Sequence, residues 1–333
     1  TERPMMSSLT PLFIISQPRA GSTLLQSLLS NNQYVATASE PWLLLPLLSV
    51  LSPRGGPAVY DHALAQRAVS EFLAHGSARH EFETGLRDCI LRTYGTFADS
   101  RTRYFLDKTP RYYLIAEQIL DILPNARVVV LKRHPLAVLD SILRTSQAQD
   151  DLAKLEIHRT DILEGPRLIH DFCTQLTNDE RVRTLKYEDL VTDPEPHVKA
   201  LYEWLEIPFS KQVLDYGNNL KLEGSLGDQV GLKQARRPVP APSSGWRPRL
   251  DSRYWRAFFQ GYSHYLGKQF FTEYGGYTGA AGGDTKVFNY FRYGGMRALR
   301  DKDMGLGRKL QMLISQELRL WEPPGRTRKA GDI

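Results

Sequence analysis

Cysteine is scarce in this chain of 333 residues, with only Cys89 and Cys173. Two thiols make no disulfide framework, and no Cys/His spacing suggests a zinc site, so both are expected to be buried small hydrophobes. Long apolar runs are missing too. The longest, Trp42–Leu51, is interrupted by Pro46 and falls well short of the ~20 residues that span a bilayer. It is expected in the core or lining a pocket. No apolar segment follows the few charges of residues 1–10, so no secretory signal is read there, and a cytoplasmic protein or a soluble catalytic fragment is expected. The chain also lacks the aromatics interleaved with a basic stripe that mark a nucleic-acid surface. A composition of 41% hydrophobic and 24% charged residues suits one substantial core or two modest ones. The net charge of +6 favours an anionic ligand or partner.

What is present is an alternation of short apolar runs with longer amphipathic ones. Pro11–Ser16 is followed by Ser22–Ser30, Tyr104–Leu106 by Pro110–Leu123, and Ala126–Leu131 by Pro135–Ser146. Strand followed by helix, repeated, predicts an α/β fold with a parallel sheet. Val128, Val129, Val130 and Leu131 form the continuous apolar run of a strand buried on both faces. A further strand is expected over Val182–Tyr187 and a helix from about Pro196 to Leu205. From Glu206 to Leu250 the pattern loosens around five prolines, at 208, 238, 240, 242 and 248, as expected of loops crossing a functional face. Gly275–Asp284 looks like a hinge into a basic, solvated extension, and the tail offers a surface for a partner or an acidic lipid.

The first strand leads straight into Gln17-Pro18-Arg19-Ala20-Gly21-Ser22-Thr23-Leu24, after which the apolar spacing becomes helical. A glycine lets the backbone approach an anion, and the N–H groups and dipole of the helix start attract negative charge. Ser22 and Thr23 add hydroxyl donors and Arg19 a charged fork. The same string also serves as a helix cap with no ligand. It is not a nucleoside triphosphatase loop, which needs an earlier glycine and a lysine where this chain has Ser22.

Pro18–Leu24 resembles the 5′-phosphosulfate loop of the sulfotransferases that use 3′-phosphoadenylyl sulfate (PAPS). About 110 residues later, Lys132-Arg133-His134-Pro135 followed by Ser141 is similar to the family's 3′-phosphate motif. Arg133 at a strand end can grip a phosphate bidentately and Ser141 can donate to it. Asp107-Lys108-Thr109-Pro110 resembles an element of the bacterial and tyrosylprotein-like branches, and Lys186-Tyr187-Glu188-Asp189-Leu190 resembles another, whose tyrosine is expected near the nucleotide. Arg236, Arg237, Ser243, Ser244 and Trp246 stand where the family has a basic loop closing on the nucleotide.

The resemblance covers roughly residues 10–275. It implies a P-loop-like three-layer sandwich with a central, mainly parallel sheet flanked by helices. A sulfotransferase domain would then occupy residues 1–275, with a helical cap inserted at about 41–100, and a basic extension residues 276–333. It further implies PAPS as co-substrate, adenosine 3′,5′-bisphosphate as product and no metal. Nucleotide-binding residues would be Arg19, Ala20, Gly21, Ser22, Thr23, Leu24, Arg133, Ser141 and Tyr187, together with the loop residues just named.

In-line sulfuryl transfer needs a base, cations at the departing oxygen and donors for the equatorial oxygens. The resemblance puts Lys108 and Arg19 at the leaving and nonbridging oxygens. Cytosolic members carry a histidine two residues after the lysine; here that place is Pro110. Glu40 is the candidate base, 21 residues after Arg19 as in the tyrosylprotein branch. Its neighbours Pro41, Trp42 and Leu43–Leu45 are expected to desolvate it and raise its basicity. A surface carboxylate or a structural ion pair is the plainer role for it. His62, His75 and His80 are rival bases, and His134 is assigned to the 3′-phosphate strand end. The apolar segment Pro41–Leu51 points to a hydrophobic hydroxyl acceptor, a lipid or polyketide, free or carrier-bound. A small-molecule kinase and a non-enzymatic nucleotide-binding protein are the alternatives, and activity retained in EDTA would count against the kinase.

Overall fold

The computed structural model of the chain describes residues 9–49, 51, 62–146, 152–217, 237–238, 245–276 and 286–292. They belong to two compact units, Thr1–Arg133 with Glu164–Ser243, and His134–Leu163 with Ser244–Ile333. The first carries strands β1 (Thr10–Ser16), β2 (Val35–Thr37), β3 (Tyr104–Asp107), β4 (Arg127–Lys132) and β5 (Val182–Lys186). Its helices are α1 (Ser22–Ser30), α2 (Leu44–Ser49), α3 (His62–Leu73), α4 (Ala78–Gly95), α5 (Ala116–Ile122), α8 (Gly165–Gln175), α9 (Tyr187–Thr192) and α10 (Pro194–Trp204). The second carries α6 (Pro135–Thr145), α7 (Arg159–Leu163), α11 (Arg253–Leu266) and α12 (Lys286–Arg292).

The five strands form one parallel sheet in the order β2-β3-β1-β4-β5. Alternation along the strands sends apolar side chains to both faces of the sheet, except at the edge strand β5, where Arg183 and Thr184 are exposed. Phe13, Ile15, Phe105, Val128 and Val130 enter one core, with residues of α2, α4, α5 and α8. Leu12, Ile14, Leu106, Val129 and Leu131 enter the other, with α1, α9 and α10. The result is the α/β, P-loop-like three-layer sandwich expected. Leu44 and Leu48 of α2 are fully buried in the first core, so part of the apolar segment 41–51 serves packing rather than a pocket.

The helix expected over Pro110–Leu123 is broken. A 3₁₀ turn spans Tyr112–Leu114, Ile115 leaves the helical region at φ −133°, and α5 starts only at Ala116. The reason is tertiary: the Tyr112 hydroxyl is drawn to Asp107 at 2.9 Å, and local helix propensity is too weak to resist such an anchor. Cys89 is exposed and Cys173 half-buried, against the expectation of two buried thiols. On α4 only Ile90 and Tyr94 are buried, and a residue next to Ile90 is turned about 100° away from the core.

In the second unit, α6 starts with Pro135, and His134 Nδ1 accepts the Leu136 N–H at 3.2 Å, which makes His134 a cap. Its ring stacks on Trp246 with centroids 5.3 Å apart and packs against Phe271 and Tyr274. Asp140 pairs with Arg144 at 3.1 Å and with Arg249. Phe288 and Phe291 of α12 are buried against Phe258 of α11. A Cβ on Gly261 would lie 2.5 Å from that of Phe288. The described part of the C-terminal segment is therefore a packed helix rather than a solvated appendage. Among the described residues no helix is long and apolar enough to cross a membrane.

Candidate active site

Parallel strands present all their carboxyl ends at one edge, where open α/β sheets bind ligands. In the first unit β1 leads into the 17–21 loop, β2 toward Glu40, β3 into Lys108, β4 into Arg133 and β5 into Tyr187.

The loop after β1 turns tightly, with the Ala20 N–H donating to the Gln17 carbonyl at 3.2 Å. Arg19 and Gly21 lie in the left-handed region at φ 68° and 97°, a conformation that costs a non-glycine residue about 1–2 kcal/mol. Helix α1 then begins at Ser22 with no side-chain cap, leaving its first N–H groups suited to an anion. Gly21 is required twice over, by its φ and because a Cβ there would meet the Tyr187 ring at 2.3 Å. Arg133 lies over the other side of the same network: its guanidinium is 4.2 Å from the Tyr187 ring centroid and donates to the Arg19 carbonyl at 2.8 Å. Arg133 thereby holds the strained loop as well as carrying charge to its mouth.

Glu40 and Lys108 meet directly. Lys108 Nζ donates to Glu40 Oε1 at 2.7 Å and to Thr23 Oγ1 at 3.4 Å, and its side chain is 1% exposed against 10% for Glu40. Trp42, expected to desolvate Glu40, also donates its indole N–H to Glu40 Oε2 at 3.2 Å. Trp42 is itself left-handed, at φ 55°.

Beneath this pair lies a buried polar group that sequence reasoning passed over. Asp107 accepts from the Tyr94 hydroxyl at 2.7 Å, from Tyr112 at 2.9 Å and from Thr109 at 3.2 Å. Burial pushes its carboxyl up to about 6, opposed by those three hydroxyls and by the Lys108 charge. Burial, and then Asp107, push the Tyr94 and Tyr112 hydroxyls well above the usual phenol range. The motif Asp107–Pro110 was a cue for two of these residues; Tyr94, on a distant helix, left none.

Asp107 makes a testable contribution to stability. The native chain holds its proton more tightly than the unfolded chain, so the stabilisation is complete below the unfolded value of 3.8 and is lost as pH rises through about 6. Urea denaturation of the wild type and of Asp107→Asn from pH 4 to 7 should show the wild type losing up to about 3 kcal/mol relative to the variant. A constant difference would mean that the carboxyl is not perturbed.

The remaining candidates fall in both units. Ala20 and Ser22 are buried, and Thr23 and Leu24 half-buried, at the start of α1. Ser141 is buried on α6 of the second unit, where its carbonyl accepts from Thr145, and Trp246 belongs to the same unit. Arg237 pairs with Asp215 at 3.3 Å, and its carbonyl accepts the Tyr216 hydroxyl. Arg236, Ser243 and Ser244 lie outside the described residues, as does the side chain of His62. His75, in the turn after α3, and His80, on α4, are exposed, and His75 Nδ1 is bonded to carbonyls at the end of α3. Among the described residues no group of His, Cys, Asp and Glu could hold a metal.

Comparison with known proteins gives three kinds of likeness. A model of the sulfotransferase family matches residues 11–211. The nodulation protein NoeE of Sinorhizobium fredii is 31% identical over 137 residues, 40% of this chain and 31% of that protein. Carbohydrate sulfotransferase 5 of Mus musculus is 25% identical over 217 residues, 57% of this chain and 54% of that protein. The chain thus spans about a third to a half of the length of these two relatives. Among solved structures, the sulfotransferase domain from the curacin biosynthetic pathway covers 72% of this chain and 90% of its own, at 20% identity and a TM-score of 0.49.

Proposed function

The chain belongs to the sulfotransferase family, and from that premise we propose that it transfers the sulfuryl group of PAPS to an acceptor hydroxyl. The observation that carries this reading is the meeting of a buried lysine and a carboxylate beside a phosphate-type loop: Lys108 Nζ lies 2.7 Å from Glu40 and 3.4 Å from Thr23 at the start of α1.

The donor set suits a bisphosphorylated nucleotide. The uncapped start of α1 and the Ser22 and Thr23 hydroxyls would take the 5′-phosphosulfate, with Arg19 at its nonbridging oxygens. Arg133 would take the 3′-phosphate, and Tyr187 shapes the loop through Gly21. In the transfer step Glu40 accepts the proton of the acceptor hydroxyl as the new O–S bond forms. Lys108 stabilises the negative charge on the oxygen released when the old S–O bond breaks. No metal is needed. Half-buried Trp42 and Leu43 next to Glu40 favour a hydrophobic hydroxyl compound, free or carrier-bound, which screening acceptor pools with labelled PAPS would identify.

The nucleotide assignment is tested by calorimetry in EDTA. Adenosine 3′,5′-bisphosphate should bind at least about tenfold more tightly than 5′-AMP, because each charge-assisted hydrogen bond to the 3′-phosphate contributes ~1.5–3 kcal/mol. Equal affinity for the two nucleotides would overturn the role given to Arg133.

A further inference from the structure

Trp42 is held at both ends. Its backbone N–H donates to Thr109 Oγ1 at 3.2 Å, and its indole N–H donates to Glu40 Oε2 at 3.2 Å. Between these bonds the backbone sits in the left-handed region, at φ 55°, where a tryptophan persists only if its surroundings impose it. Thr109 is fully buried and in turn donates to Asp107 Oδ1 at 3.2 Å. Asp107 is itself fixed by hydroxyls from two other segments, Tyr94 on α4 and Tyr112 in the 3₁₀ turn. The Tyr112 hydroxyl also accepts the Leu44 N–H at 3.2 Å, so the same group secures the chain on the far side of Trp42. A continuous series of hydrogen bonds thus runs from the buried Asp107 to the carboxylate of Glu40.

We propose that Thr109 is a positioning residue for the reaction: its hydroxyl, held by Asp107, fixes Trp42, and Trp42 fixes the orientation of Glu40 against Lys108. This rests on the sulfotransferase reading of the Glu40–Lys108 pair. The position demands a hydroxyl, since Oγ1 must donate to a carboxylate and accept an amide N–H at once. Valine has the same shape and can do neither, whereas serine can do both.

The test compares Thr109→Val, Thr109→Ser and Trp42→Phe with the wild type. The readouts are kcat and KM with labelled PAPS, affinity for adenosine 3′,5′-bisphosphate, and the ¹⁵N–¹H signal of the Trp42 indole, identified by its loss in Trp42→Phe. Thr109→Val should lower kcat about tenfold, the worth of one lost hydrogen bond, leave nucleotide affinity and the KM for PAPS within about twofold, and shift or broaden the indole signal. Thr109→Ser should restore both, and Trp42→Phe should reproduce the kcat loss. A Thr109→Val enzyme with wild-type kcat and an unmoved indole signal overturns the proposal. If Thr109→Val does not fold, normal kcat in Trp42→Phe overturns it equally. A wild type that turns over no acceptor would instead sink the sulfotransferase reading, while the indole signals would still decide whether Thr109 positions Trp42.

Discussion

Glu40→Gln should lower turnover by about 10²–10⁴-fold, the usual worth of a general base, while adenosine 3′,5′-bisphosphate binds as well as before or a few-fold more tightly. The substitution keeps the shape of a side chain that is 10% exposed and held from two sides, by Lys108 and by the Trp42 indole. What it removes is the capacity to take a proton. It also removes one negative charge from beside Lys108 and the phosphate-type loop, which favours an anion there. Retained product binding with collapsed turnover distinguishes a base from a merely structural carboxylate. Near-normal turnover on the true acceptor would eliminate Glu40 and return attention to the cap histidines.

Lys108→Met should lose about 10²–10³ in kcat, the cost of removing one preorganised charge stabiliser, and much less in affinity for adenosine 3′,5′-bisphosphate. Charge on the departing oxygen develops mainly in the transition state, so a cation placed there contributes chiefly to turnover. Methionine matches the lysine stem in a site only 1% exposed, so packing is conserved while the charge goes. Breaking the pair from this side leaves a largely buried carboxylate unpaired, which is destabilising. Adding Glu40→Gln to Lys108→Met should therefore recover stability without recovering rate. A variant whose saturated rate is unchanged and whose only defect is weaker nucleotide binding would remove Lys108 from the transfer step.

The elements most legible in the sequence were those whose local pattern already agrees with their tertiary surroundings. The helix read at Ser22–Ser30 is the helix observed, and the run Val128–Leu131 lies at the centre of β4, because a strand buried on both faces must be apolar throughout. Residues 110–123 failed as one helix because the Tyr112 hydroxyl is drawn to a carboxylate five residues earlier, a contact that periodicity does not register. For residues 286–292 a solvated reading fails because the basic composition around them conceals Phe288 and Phe291, which are buried.

By itself the sequence determined the alternation of strands and helices, the phosphate-type loop around Gly21 and the identity of the charged residues at strand ends. These are written in periods and short motifs that act over a few residues. Only the tertiary structure decided that Lys108 sits on Glu40, that Trp42 donates a hydrogen bond to that carboxylate, and that Asp107 gathers Tyr94, Tyr112 and Thr109 into one buried network. Those partners are up to 68 residues apart. They meet because a parallel sheet carries the ends of non-consecutive strands to a common edge, where burial makes each polar group depend on the others for its hydrogen bonds.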